Sequence, residues 1–390
     1  MPANASRAGE GKSMQRKYFG TTSDGIPVHI FHLESQSGVA VRVMEYGASL
    51  VSIETPDRYA RTGPIVLGYD ELSGYLGADS PLGSAPNASV NSSLNSSLSS
   101  SLNSSLSSSL NSSLNTGRAP ACGATLGRYA GRIGDGAFRL SGSLHTVSKD
   151  DGSDRPGAGA AGLHRAVWWG EALSEGVRFH YRSPAGAEGY PGALDCSVEY
   201  RLGSEGELRL DYRATTDAPT VLDLTSQIYF NLNDAGRSPV IDHELTISAD
   251  EIVETDRNGV PTGHFQRIVG STLDFSSAKR LGEHAERPER PHNSTGPFYL
   301  LRRGAKTLRA VARISDPVSG RSLEVSTTQP GVSIASGSAL RPKHGHKLYG
   351  LCLCPQNLPD APNHRHFPSP GLAPGSAYHQ TTVFRFGNDR

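Results

Sequence analysis

A chain of 390 residues can bury a large core, and all-β domains of roughly 200 residues or more commonly fold undivided, so one domain is the expected count. With 38 basic and 38 acidic residues the formal net charge is zero, which excludes the electrostatic footprint of a nucleic-acid or anionic-membrane binder and favours a small neutral ligand as partner. Met1 to Gly20 is polar, without the apolar core of a signal peptide, and no later stretch approaches the ~20 apolar residues of a membrane span, so a cytoplasmic protein is expected.

In chain order, residues 1–15 read as a flexible N-terminus and 16–390 as a single domain. Val39 to Val43 has the alternation of a strand. At about 84–120 the pattern is interrupted by a low-complexity Asn/Ser/Leu insertion, with a tetrapeptide repeat from Asn91 to Leu114. Leucine every fourth residue drifts about 40° per repeat against a 3.6-residue helix, and serine and asparagine compete with helical hydrogen bonds, so an expanded surface loop is expected. Further strands are read at Leu194 to Leu202, Leu208 to Tyr212, Leu245 to Ile247 and Thr382 to Phe386. Helical periodicity is nearly absent. The 44 glycines and 25 prolines mark frequent turns, which suits a large, mostly antiparallel sandwich and places the chain in the all-β class. Cys122, Cys196, Cys352 and Cys354 are too few and too scattered for a disulfide framework. Cys352 and Cys354, two apart on a strand, should point to the same face.

A series of motifs runs along the chain: Glu45-Tyr46-Gly47-Ala48, Val66-Leu67-Gly68-Tyr69-Asp70, Gly123-Ala124-Thr125-Leu126-Gly127-Arg128-Tyr129 with Arg132-Ile133, and Gly162-Leu163-His164-Arg165-Ala166-Val167-Trp168. They continue with Glu188-Gly189-Tyr190-Pro191-Gly192, Tyr229-Phe230-Asn231-Leu232, Ser326-Thr327-Thr328-Gln329-Pro330-Gly331, and Cys352-Leu353-Cys354-Pro355-Gln356-Asn357-Leu358-Pro359-Asp360. In kind and order these resemble the aldose 1-epimerase (galactose mutarotase) family. The resemblance implies a β-supersandwich with an open sugar cleft on one curved sheet, no cofactor and no metal.

The chemistry implied by the resemblance needs a base to take the proton of the anomeric hydroxyl and an acid to protonate the ring oxygen. The family's glutamate base falls here on Cys354, and its histidine acid on Gln227. An amide donates a hydrogen bond but gives up no proton, and a free thiol, with a pKa of about 8.5, is mostly protonated at pH 7. A second family histidine falls on Gly157, and a hydroxyl-gripping aspartate on Thr295. Arg132 keeps the family's arginine, although the asparagine before it is Gly131. The candidate ligand-binding set is therefore Arg132, Gly157, Gln227, Thr295 and Cys354, with no catalytic residue assigned. His344, His346, His364 and His366 form two His-x-His pairs without a further ligand at metal spacing, and are read as loop residues. Glu188 and Asp360 are read as turn residues.

Three functions remain open at this level. One is a small-molecule-binding pseudoenzyme with a carbohydrate-type cleft. Another is a repurposed isomerase or cyclase in which Gln227 or Thr295 orients a less polar metabolite. The last is an active hexose mutarotase whose acid and base have moved, with His243 and Tyr229 as the residues to examine.

Overall fold

A computed structural model of the chain describes residues 15–76, 121–148, 162–284, 296–302, 306–336 and 349–389. Every strand pair among them is antiparallel. Three large sheets dominate: one of nine strands, one of six and one of five. The nine-stranded sheet runs, edge to edge, Lys279–Arg280, Glu244–Ile247, Arg309–Ser315, Arg321–Thr327, Tyr378–Asn388, Glu207–Thr216, Leu194–Leu202, Gly176–Ser183 and Trp169–Leu173. The six-stranded sheet orders Tyr229–Phe230, Leu351–Gln356, Gly331–Ser336, Phe298–Leu301, Ala249–Thr255 and Pro261–Arg267. The five-stranded sheet is a meander from Gln15–Thr21 to Thr62–Pro64.

The alternation seen in the sequence is what builds the layers. Val198 and Tyr200, Leu208, Leu210 and Tyr212 turn inward from the nine-stranded sheet to meet Phe31, Val41 and Ile53 of the five-stranded sheet and Tyr299, Leu351 and Leu353 of the six-stranded one. Each fully buried side chain of this size contributes about 1.5–3 kcal/mol of burial. On the strand Leu351–Gln356 the period of two separates the faces: Leu351 and Leu353 enter this main core, while Cys352 and Cys354 join a second apolar cluster with Met44, Leu67, Tyr75, Cys122 and Tyr229. One short α-helix, Leu72–Leu76, is present among the described residues, and no helix there is long and apolar enough to cross a membrane. The insertion at 84–120 lies outside the described residues, as do Gly157, Thr295, His344 and His346.

Candidate functional site

Gln227 sits in the two-residue gap between the short strands Thr225–Ser226 and Tyr229–Phe230. Its backbone is clamped on both sides by the Cys122-Gly123-Ala124 turn: Gly123 N donates to Gln227 O at 2.7 Å, and Gln227 N donates to Ala124 O at 3.0 Å. Gly123 has φ +70°, and a Cβ there would stand 1.9 Å from the Leu50 carbonyl oxygen, so only glycine allows the turn to come this close. With the backbone fixed, the Gln227 amide Nε2 donates to the Tyr229 hydroxyl at 2.7 Å.

Cys354 lies alongside. Its Sγ donates weakly to the Ser226 carbonyl at 3.7 Å and touches Cys352 Sγ at 3.0 Å, the shared face expected from their spacing. Cys354 is 5 % exposed. Burial and the neighbouring Cys354 push the Cys352 thiol well above its ordinary range. Burial also pushes Cys122 up to about 12, and its Sγ is bonded to the Leu67 carbonyl. Cys352 and Cys122 are therefore held as neutral thiols rather than thiolates.

Arg132 is reached by continuing past the end of the same strand. Its carbonyl accepts from Asp360 N at 2.6 Å and its Nη1 donates to the Asn258 carbonyl. Gly131, beside it, faces Pro359, whose Cα would be 3.1 Å from an added Cβ. Asp360 is a turn residue, as expected: at φ +59°, its Oδ1 accepts from Gly134 N and from Asn363 Nδ2. Glu188 likewise occupies a turn at φ +53°. The segment Cys352 to Asp360 thus carries Cys354, has Ser226 and Tyr229, which flank Gln227, as neighbours of Cys354 and Cys352, and meets the Arg132 carbonyl at Asp360.

Of the two residues examined as a relocated acid or base, His243 lies elsewhere. It is buried, its Nε2 accepts from Leu232 N at 2.9 Å, and its Nδ1 lies 3.7 Å from Asp316 Oδ1. Burial lowers its pKa despite that neighbour. Tyr229 is the one that meets the candidate site. His364 and His366 follow the segment Cys352 to Asp360 in the chain: His366 Nε2 is 2.7 Å from the Gly263 carbonyl, and His364 Nε2 lies 3.1 Å from Asp360 Oδ2. Among the described residues no group of three or more His, Cys, Asp or Glu side chains is arranged to hold a metal.

One buried carboxylate bonded to the segment Cys352 to Asp360 went unread in the sequence. Asp223 Oδ1 accepts from Asn357 N and Gln329 Nε2, both at 3.0 Å, while Oδ2 has no hydrogen-bond partner. Burial pushes this carboxyl up to about 7, against the lowering effect of the two donors. The available signal was a lone acid inside the apolar run Val221-Leu222-Asp223-Leu224.

The family profile described as aldose 1-epimerase matches residues 102–385. Galactose mutarotase from Bos taurus is 34 % identical over 382 residues, spanning 96 % of this chain and 98 % of its own. Aldose 1-epimerase from Escherichia coli is 28 % identical over 93 % of this chain and 96 % of its own. Among solved structures, an aldose epimerase homologue from C. elegans superposes with a TM-score of 0.73 at 24 % identity, covering 92 % of this chain and 98 % of its own.

Proposed function

Because this chain belongs to the aldose 1-epimerase family, we propose that it binds a sugar-type small molecule in the family's cleft without efficient mutarotation. The observation that carries this reading is the pair at the acid and base positions. Gln227 offers an amide already donated to Tyr229, and Cys354 a buried thiol packed on Cys352. General acid–base catalysis contributes typically 10²–10⁴-fold for each well-placed group, so losing both leaves little above the spontaneous rate. Arg132 retains donors suited to an oxygen-rich ligand.

The test is anomer exchange of galactose and glucose followed by NMR, with protein against buffer. The expected result is no acceleration by the native chain, and a gain of about tenfold or more when Gln227→His and Cys354→Glu are combined. Clear acceleration by the native protein would overturn the proposal.

A second reading rests on Tyr229, whose hydroxyl stands 2.7 Å from Gln227 Nε2 and is able to donate a proton where the amide is not. On that reading the native chain accelerates exchange and Tyr229→Phe abolishes the acceleration.

A further inference from the structure

A second cleft, of about 710 Å³, opens between the five-stranded sheet and the segment Arg165 to Trp169. Its size is that of a small-molecule site. Two kinds of surface converge in it. Glu45 is 3 % exposed, with Oε1 accepting from Arg16 Nη2 at 3.0 Å and Oε2 from His29 N at 2.9 Å. The corner carrying Glu45 is rigid, because Glu45 N donates to the His29 carbonyl and Trp168 N donates to the Glu45 carbonyl. Trp169 lines the same cleft, 62 % exposed, its ring tilted with its centroid 5.5 Å from that of His180. Trp168, its neighbour in sequence, is buried, with Nε1 donating to the Leu163 carbonyl.

We infer that this cleft is a saccharide-binding subsite, separate from the one lined by Gln227 and Cys354, in which Trp169 stacks on the apolar face of a pyranose and the half-exposed Arg16 guanidinium, held in place by the buried Glu45, takes its hydroxyls. A pyranose has an apolar C–H face and a polar rim. A wide aromatic ring in water and a guanidinium fixed by a carboxylate, both lining one cleft, offer the two kinds of partner. The formal charges lining the cleft balance, Arg16 and Arg165 against Asp24 and Glu45, so a neutral ligand enters without an uncompensated charge. An anionic or cationic ligand would meet one repulsive member of each pair.

The chain's two tryptophans, Trp168 and Trp169, both line this cleft, so intrinsic fluorescence reports on it directly. The probes are lactose and methyl β-D-galactopyranoside; the methyl glycoside cannot mutarotate and therefore reads binding alone. The expected result is that either sugar, titrated into the full chain, protects Trp169 from acrylamide quenching. Saturation-transfer NMR should show the same sugar bound. Trp169→Ala, at an exposed position, should leave the unfolding midpoint unchanged and weaken binding by roughly tenfold or more, and Glu45→Gln should weaken it while keeping the buried packing. Binding that survives Trp169→Ala intact but is lost in Arg132→Ala would assign the sugar to the other cleft and overturn this inference while leaving the proposed function standing. Absence of any protection at saturating sugar would overturn it as well.

Discussion

In an unfolded chain a solvated aspartate such as Asp223 titrates near 3.9. In the folded protein burial carries the same carboxyl up to about 7, so the native state holds the proton more tightly than the unfolded one. The stability associated with that proton is complete below about pH 4, falls as the pH rises toward 7, and is lost above it. Asparagine keeps the acceptor oxygen used by Asn357 N and Gln329 Nε2 and places an uncharged group where Oδ2 has no partner. Asp223→Asn should therefore match the native chain near pH 4 and exceed it at pH 8 by on the order of 4 kcal/mol, about three pKa units at about 1.4 kcal/mol each. Urea unfolding at the two pH values measures this; equal stability at pH 8 would show that burial does not raise the pKa of Asp223. Gln227 presents the opposite case at the same scale. It carries no charge to titrate, and its amide is committed to Tyr229.

At the scale of the element, the turn Cys122-Gly123-Ala124 decides where Gln227 sits, because both of its backbone bonds to the Gln227 peptide require the chain to pass within contact of Leu50. Gly123→Ala should destabilise the protein by about 2–3 kcal/mol or more, since the added Cβ meets a backbone carbonyl at positive φ. A denaturation midpoint within error of the native value would mean that the turn yields. The glycine was legible in the sequence only as part of a motif; the approach that requires it joins residues far apart in the chain. The longer strands could be read. Leu194 to Leu202 is found with those bounds, and Leu208 to Tyr212 lies inside Glu207–Thr216. Thr225–Ser226 and Tyr229–Phe230 could not, because two residues carry no period. The shared face of Cys352 and Cys354 followed from alternation alone. The burial of His243 did not, since its depth is set by Leu232 and Asp316 arriving from elsewhere in the fold.

For the whole molecule, the question is what fixes the sheets relative to one another, and Arg321 supplies much of the answer for two of them. It lies on the nine-stranded sheet and is 5 % exposed. Its Nε and Nη2 donate to the Thr55 carbonyl of the five-stranded sheet, Nη2 also to the Arg61 carbonyl, and Nη1 to those of Leu232 and Asn233 just beyond Tyr229–Phe230. One planar fork thus satisfies carbonyls on the five-stranded sheet and on the loop leaving the candidate site. Burial lowers its pKa, yet guanidinium stays charged at any physiological pH. Arg321→Met fills similar volume but strands these carbonyls without donors, and should cost about 3–5 kcal/mol in urea unfolding. Arg321→Lys should recover only part of that loss, because a single ammonium cannot reach carbonyls set around a plane. If the methionine variant were within about 0.5 kcal/mol of the native chain, apolar packing between the sheets would suffice without the tie. If methionine is costly and lysine fully restores stability, charge rather than the geometry of the fork is what the junction requires.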